Sequence, residues 1–142
     1  MFLFYSTMAL TILSNALYHV FQKLTPGTVN PMLSLAATYL TAAVLTLALL
    51  PFFPLRGGLG ASLRGLTWPS LALAIAISGL ELGFLLAYRA GWNISLGALV
   101  SNVGVTIVLV PVGLLFFREK LTATNAIGIG VCVIGLVLIN RR

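Results

Sequence analysis

The chain has 142 residues, of which 60% are hydrophobic and only 7% charged, with a net charge of +6. At a mean hydropathy of +1.12 it falls far short of the roughly 25% charged residues of a typical soluble domain, so lipid must be its main solvent. The positive charge does not mark nucleic-acid binding, because Lys23, Arg56, Arg64, Arg89, Arg118, Lys120, Arg141 and Arg142 are scattered at the flanks of apolar runs, where membrane anchors sit.

A bilayer core needs about 17–25 apolar residues per helix, and five runs qualify. The first covers residues 2–22. Its Thr7, Thr11, Asn15, Tyr18 and Gln22 succeed one another at helical spacing, so they form one polar face. The run lacks a basic leader and a small-residue cleavage site, which reads as a retained helix. His19, near its end, reads as a solvated interfacial imidazole. The second run, 31–53, opens on Asn30-Pro31, a helix cap with proline in the first turn. Its Ser34, Thr38 and Thr41 align, but hydroxyls of this kind also bond back to their own helix. The break after it, "PLRGGLGASLRGLT", carries turn chemistry.

The third run, 69–88, holds the most informative residue. Glu81 is one of two acids in the chain. It aligns with Ser78, Leu85 and Tyr88, while Gly79 and Gly83 lie on the opposite side. An acid at the centre of a membrane helix costs about 2.5–3.5 kcal/mol on insertion scales. A helix that would insert more easily without its acid is best explained by what the acid binds. Burial favours the protonated form of a carboxylic acid, so Glu81 is the candidate proton-coupling and cation-binding group. Tyr18, Tyr39, Phe84 and Tyr88 are aromatic faces on which a cation or an aromatic solute can stack.

The fourth run, 94–117, aligns Ser95, Asn102 and Thr106 and contains Pro111. That proline removes the hydrogen bond to the Ile107 carbonyl and marks a candidate hinge. The "NIS" sequon at Asn93 is pressed too close to the helix to count. The fifth run, 123–139, has a small-residue face of Gly128, Cys132 and Gly135, of the type that lets a second helix approach closely. It is the candidate dimer interface. Cys132, the single cysteine, excludes an internal disulfide. Trp68 and Trp92 fall at run edges, where headgroups hold amphipathic rings.

With five crossings the loops sort into two sets. One side of the membrane receives Arg56, Arg64, Arg118 and Lys120, the other Lys23, Arg89, Arg141 and Arg142. Four against four sets no orientation by the positive-inside rule; either another feature orients the chain or it inserts both ways.

At "FFREKLTATNAIGIGVCVIGLVLIN" an acid, a base, leucine and threonine (Glu119, Lys120, Leu121, Thr122) precede a final helix with spaced glycines, Gly128 and Gly135. This stretch resembles the EamA-type drug/metabolite transporters, and helix number and spacing match over nearly the full chain. The resemblance implies ten helices in the usual member, built from two inverted five-helix repeats, of which this chain is similar to one. It also implies pairing with an oppositely inserted copy.

The reading is therefore an all-α integral membrane protein, one five-helix domain over residues 1–142. Its expected role is to transport small organic solutes by alternating access as an antiparallel homodimer in a bacterial or archaeal inner membrane. Substrate contacts are expected from Glu81, Asn15, Tyr18, Ser78, Tyr88, Asn102 and Thr106. No metal or other cofactor is expected. One His, one Cys and a single buried acid supply no catalytic motif within the chain, which argues against an enzyme. A non-transporting assembly subunit and a flippase for lipid-linked substrates are the alternatives.

Overall fold

The computed structural model of the chain describes residues 2–55 and 57–140. Arg56, Arg141 and Arg142, which enter the charge balance, lie outside the described residues. Among those described there are six α-helices and no strand. They are α1 (Phe2–Leu24), α2 (Pro31–Leu49), α3 (Gly58–Arg64), α4 (Trp68–Arg89), α5 (Ile94–Leu115) and α6 (Ala123–Asn140). The five apolar runs fall on α1, α2, α4, α5 and α6.

The helix ends arise from local chemistry. Asn30 caps α2 as expected: its side chain accepts hydrogen bonds from the Met32 and Leu33 amides at 2.9 and 3.3 Å, satisfying donors that no helical carbonyl can reach. Thr122 does the same for α6, accepting from the Asn125 amide at 3.2 Å. α2 stops four residues before the expected 53 and tightens into a 3-10 turn, Leu50–Phe52. Pro51 is the cause, since it has no amide hydrogen to continue the α-helical ladder and restricts the residue before it. α4 ends at Arg89, two residues before Gly91, whose φ of +97° is the left-handed conformation that glycine reaches without penalty.

One element was not expected. The break after α2 contains α3, seven residues long. It is entered through Gly57 and Gly58, both at φ +81°. The glycines that suggested a plain loop permit a sharp entry, and "ASLR" then sustains a helical turn.

The helices fall into two compact units, Met1–Ala90 and Gly91–Arg142. In the first, α1 and α2 both pack against α4; in the second, α5 packs against α6. The buried apolar side chains among the described residues are Leu35, Leu85, Tyr88 and Val103. Large apolar side chains such as Phe21, Leu40, Leu71, Ile75, Val108 and Ile134 are exposed. That distribution suits a chain dissolved in lipid, where helices associate by packing and polar contacts rather than by escaping water. Pro31–Phe52, Trp68–Arg89 and Ile94–Leu115 are each long and apolar enough to cross a membrane. α6 contributes a shorter apolar helix, Ala123–Leu138, and α1 is 23 residues long with a polar face.

Candidate functional site

The polar residues of α1 and α4 meet in the first unit. On α4, Glu81 and Ser78 are half-buried, while Leu85 and Tyr88, further along the same stripe, are buried. This is the face that packs. Gly79 and Gly83 are exposed, and a Cβ added at either would meet nothing within 4 Å. The two faces are opposed, as the sequence pattern has them, and within the chain the acidic stripe is the one that packs. The physical reason is bulk: Leu85 and Tyr88 give the acidic stripe the packing surface that the glycines lack.

Four rings interlock here. His19 lies edge-on to Phe84 at 4.7 Å between centroids, and Tyr18 edge-on to Phe84 at 5.9 Å. Phe84 and Tyr88 stack at 5.9 Å. Such offset and edge-to-face pairs contribute about 0.5–1.5 kcal/mol beyond burial. The Tyr88 hydroxyl and His19 Nδ1 share a hydrogen bond of 2.8 Å, its direction set by the imidazole tautomer. His19 is 4% exposed, so it is a core histidine and not the solvated interfacial group its position suggested. Its partner sits 69 positions away in sequence, out of reach of any local pattern.

Gln22 fastens the two helices. Its side-chain amide donates to the Tyr18 hydroxyl at 3.2 Å and to the backbone carbonyl of Glu81 at 3.0 Å. Lys23 donates to the Tyr88 carbonyl at 3.3 Å, with its ammonium 5.7 Å from the Tyr88 ring centre. Arg89 donates to the carbonyls of Pro26 and Val29 at 3.1 and 2.9 Å, pinning the loop between α1 and α2 to the end of α4. These contacts hold Glu81 on a braced helix.

On α2, Tyr39 is half-buried. Its oxygen is shielded from solvent and has no hydrogen-bond partner among the described residues. An unpaired buried hydroxyl costs about 1–3 kcal/mol.

The remaining expected site residues lie elsewhere. Asn15 is exposed on α1. Ser78 donates to the Ala74 carbonyl at 2.8 Å, the intrahelical bond common for serine in a membrane helix. Thr38 and Thr41 do likewise on α2. Asn102 and Thr106 belong to the second unit, where Thr106 donates to the Asn102 carbonyl at 2.8 Å. There they line a groove of about 550 Å³ with Asn125, Gly128 and Cys132. Two residues expected to bind substrate thus share a groove with two expected at a dimer interface. Gly135 is half-buried, and a Cβ at Gly128 or Gly135 would meet nothing within 4 Å.

A second cavity of about 560 Å³ shares Thr106, Leu121 and Asn125 with this groove and adds Glu119 and Lys120. The Glu119 carboxylate folds over Gly113 of α5, where a Cβ would lie 2.5 Å from its Oε2. The Glu119 amide donates to the Gly113 carbonyl at 3.0 Å. Arg118 beside it stands at φ +53°, uncommon for a residue with a side chain. α5 runs as one helix through Pro111.

The model of the EamA-like transporter family matches residues 3–141. The chain belongs to this family. Membership makes it a multi-pass membrane protein from a family of small-solute transporters rather than enzymes. It also accounts for a carboxylate and amides on helices whose outer surfaces are apolar. No curated protein and no solved structure matches the chain. The EamA-like family therefore supplies the class, and the residues must supply the chemistry.

Proposed function

We propose that this EamA-like protein moves small organic cations across a bacterial or archaeal inner membrane, exchanging them for protons at Glu81. The observation that carries this reading is the setting of Glu81. The acid sits half-buried on α4, one helical turn from Phe84 and two from Tyr88, with Gln22 joining its backbone carbonyl to Tyr18, on a helix braced by Gln22, Lys23 and Arg89. Aromatic faces around a carboxylate attract organic cations, and one carboxylate cannot hold a cation and a proton tightly together. That competition couples the two fluxes.

All five long helices cross the bilayer in this reading, and two oppositely inserted copies rebuild the inverted repeat used for alternating access. The balanced loop charges support it. So do Gly128 and Gly135, whose lack of a side chain relieves no contact within the chain, leaving that smallness for a second copy. Asn102 and Thr106 extend the substrate path in the second unit, with Pro111 as a hinge in α5.

Purified protein in liposomes should accumulate a radiolabelled organic cation when an outward-directed proton gradient is imposed, and a protonophore should abolish the uptake. Uptake that is absent under every gradient would favour an accessory subunit. Orientation is tested with Gly60→Cys in a Cys132→Ser background: an impermeant thiol reagent should label it from both sides in similar amounts. Labelling from one side alone removes the antiparallel pair.

A further inference from the structure

Glu119, the second acid of the chain, takes no part in the cation reading of Glu81, and it stands at the unfavourable end of α5. Its carboxylate lies over Gly113 in the last turn of that helix, where the aligned peptide dipoles already concentrate negative charge. The chain turns back sharply to put it there. Arg118 takes a left-handed φ of +53°, and the Glu119 amide donates to the Gly113 carbonyl at 3.0 Å. Among the described residues no ion pair joins Glu119 to Arg118 or Lys120. A cation brought from outside would relieve both the carboxylate and the helix end.

The structure leaves room for one. A cavity of about 560 Å³ is lined by Glu119, Lys120 and Asn125 together with Leu109, Val110 and Leu114 of α5, a size common for small-molecule sites. α5 is long and apolar enough to cross a membrane, so its last turn, and Glu119 with it, lies at the headgroup boundary. From Leu114 the lining follows α5 back to Thr106, about 12 Å toward the hydrocarbon.

We propose that this cavity binds a zwitterionic phospholipid with a primary ammonium headgroup, its ammonium on Glu119, its phosphate on Lys120 and an acyl chain along Leu109 and Val110. The match is one of charge and length. A carboxylate and an ammonium in one lining complement an ammonium and a phosphate, through charge-assisted hydrogen bonds. An anionic lipid would satisfy Lys120 and bring its phosphate against an unrelieved Glu119. A trimethylated headgroup has no N–H for the carboxylate and needs aromatic faces instead, and no aromatic residue lines this cavity. The apolar wall along α5 is what a lipid uses and a water-soluble zwitterion does not.

The probes are dioleoyl phosphatidylethanolamine, phosphatidylglycerol and phosphatidylcholine, added at equal concentration to the delipidated full chain and counted as adducts by native mass spectrometry. The wild type should bind the ethanolamine lipid about tenfold more tightly than either other, the worth of one hydrogen bond between charged groups. Glu119→Gln should erase that preference, and Lys120→Gln should weaken the ethanolamine and glycerol lipids alike. Both side chains are exposed, so the fold should tolerate the changes. Glu81→Gln should leave the preference as it is. Equal binding of the three lipids by the wild type would overturn the proposal without any variant. So would a preference that survives Glu119→Gln, or one that Glu81→Gln abolishes, which would move the lipid to the first unit. Glycerophosphoethanolamine, the same headgroup without acyl chains, should not displace the lipid at equal concentration; if it does, the cavity takes free zwitterions and the lipid assignment falls.

Discussion

The two units of this transporter solve the same problem, holding membrane helices together, by different means. In the first, α1 and α4 are joined by directional contacts: Gln22 on the Glu81 carbonyl, His19 on Tyr88, and four interlocked rings. In the second, the loop after α5 folds back on that helix through the Glu119 amide on the Gly113 carbonyl, and an open groove with amides, hydroxyls and glycine along it is lined by α5 and α6. Directional contacts fix geometry, which a carboxylate needs if it is to choose between a proton and a cation. Small residues and open grooves fix little within the chain and leave surface for something else. The difference supports the proposal of chemistry in the first unit and of assembly or movement in the second.

The largest expected effect comes from removing the charge of the first unit. Glu81→Gln keeps shape and some hydrogen bonding, so the protein should fold. Cation transport should fall by about tenfold to a hundredfold, the loss of a charge-assisted bond, and what remains should lose its pH dependence. Unchanged transport with an unchanged pH profile in liposomes would reduce Glu81 to a packing residue and erase the contrast between the units.

Next in size is a test of the second unit as an assembly surface. Gly135→Leu should weaken dimerisation by about tenfold, because overpacking costs about 1–3 kcal/mol. Gly130→Leu, about 140° around the same helix by its regular geometry, should do less. Since a Cβ at either meets nothing within 4 Å inside the chain, the monomer should stay folded in both. Equal dimer dissociation constants for the two variants in detergent would dismiss the Gly128–Gly135 face as the contact.

A smaller effect is expected from Tyr88→Phe, which removes the hydroxyl bonded to His19 and leaves a buried imidazole nitrogen unpaired. The cost should be about 1–3 kcal/mol, read as a lower midpoint in detergent-titrated unfolding. An unchanged midpoint would mean the directional contacts of the first unit contribute little.

The smallest is Gly113→Ala. The added Cβ would lie 2.5 Å from Glu119 Oε2 but 3.4 Å from its Cδ, so only the end of a flexible, exposed side chain must move. Alanine also gains about 1 kcal/mol over glycine within a helix. Stability should therefore change by less than about 1 kcal/mol. A loss well beyond that would show Glu119 to be anchored more firmly than its exposure suggests.

Much of this fold is legible in the residue order. Helix positions come from the length of apolar runs, the start of α2 from Asn30 and Pro31, and the importance of Glu81 from the cost of an acid in lipid. Those properties depend on neighbours within one or two turns, and a linear pattern contains them. α3 is hidden because its glycines signal a turn and do not reveal that a helix begins beyond it. The packed face of α4 is not legible, because alignment at helical spacing identifies a stripe without saying which stripe meets another helix. That choice belongs to the partners. Leu85 and Tyr88 pack inward because α1 offers His19 and Gln22 to bond and α2 offers Leu35 to fill. The bond between His19 and Tyr88 and the Gln22 amide on the Glu81 carbonyl both join residues of separate helices. Their geometry exists only once α1 and α2 have docked on α4, since a hydrogen bond needs two groups within about 3 Å and the chain alone does not bring them there.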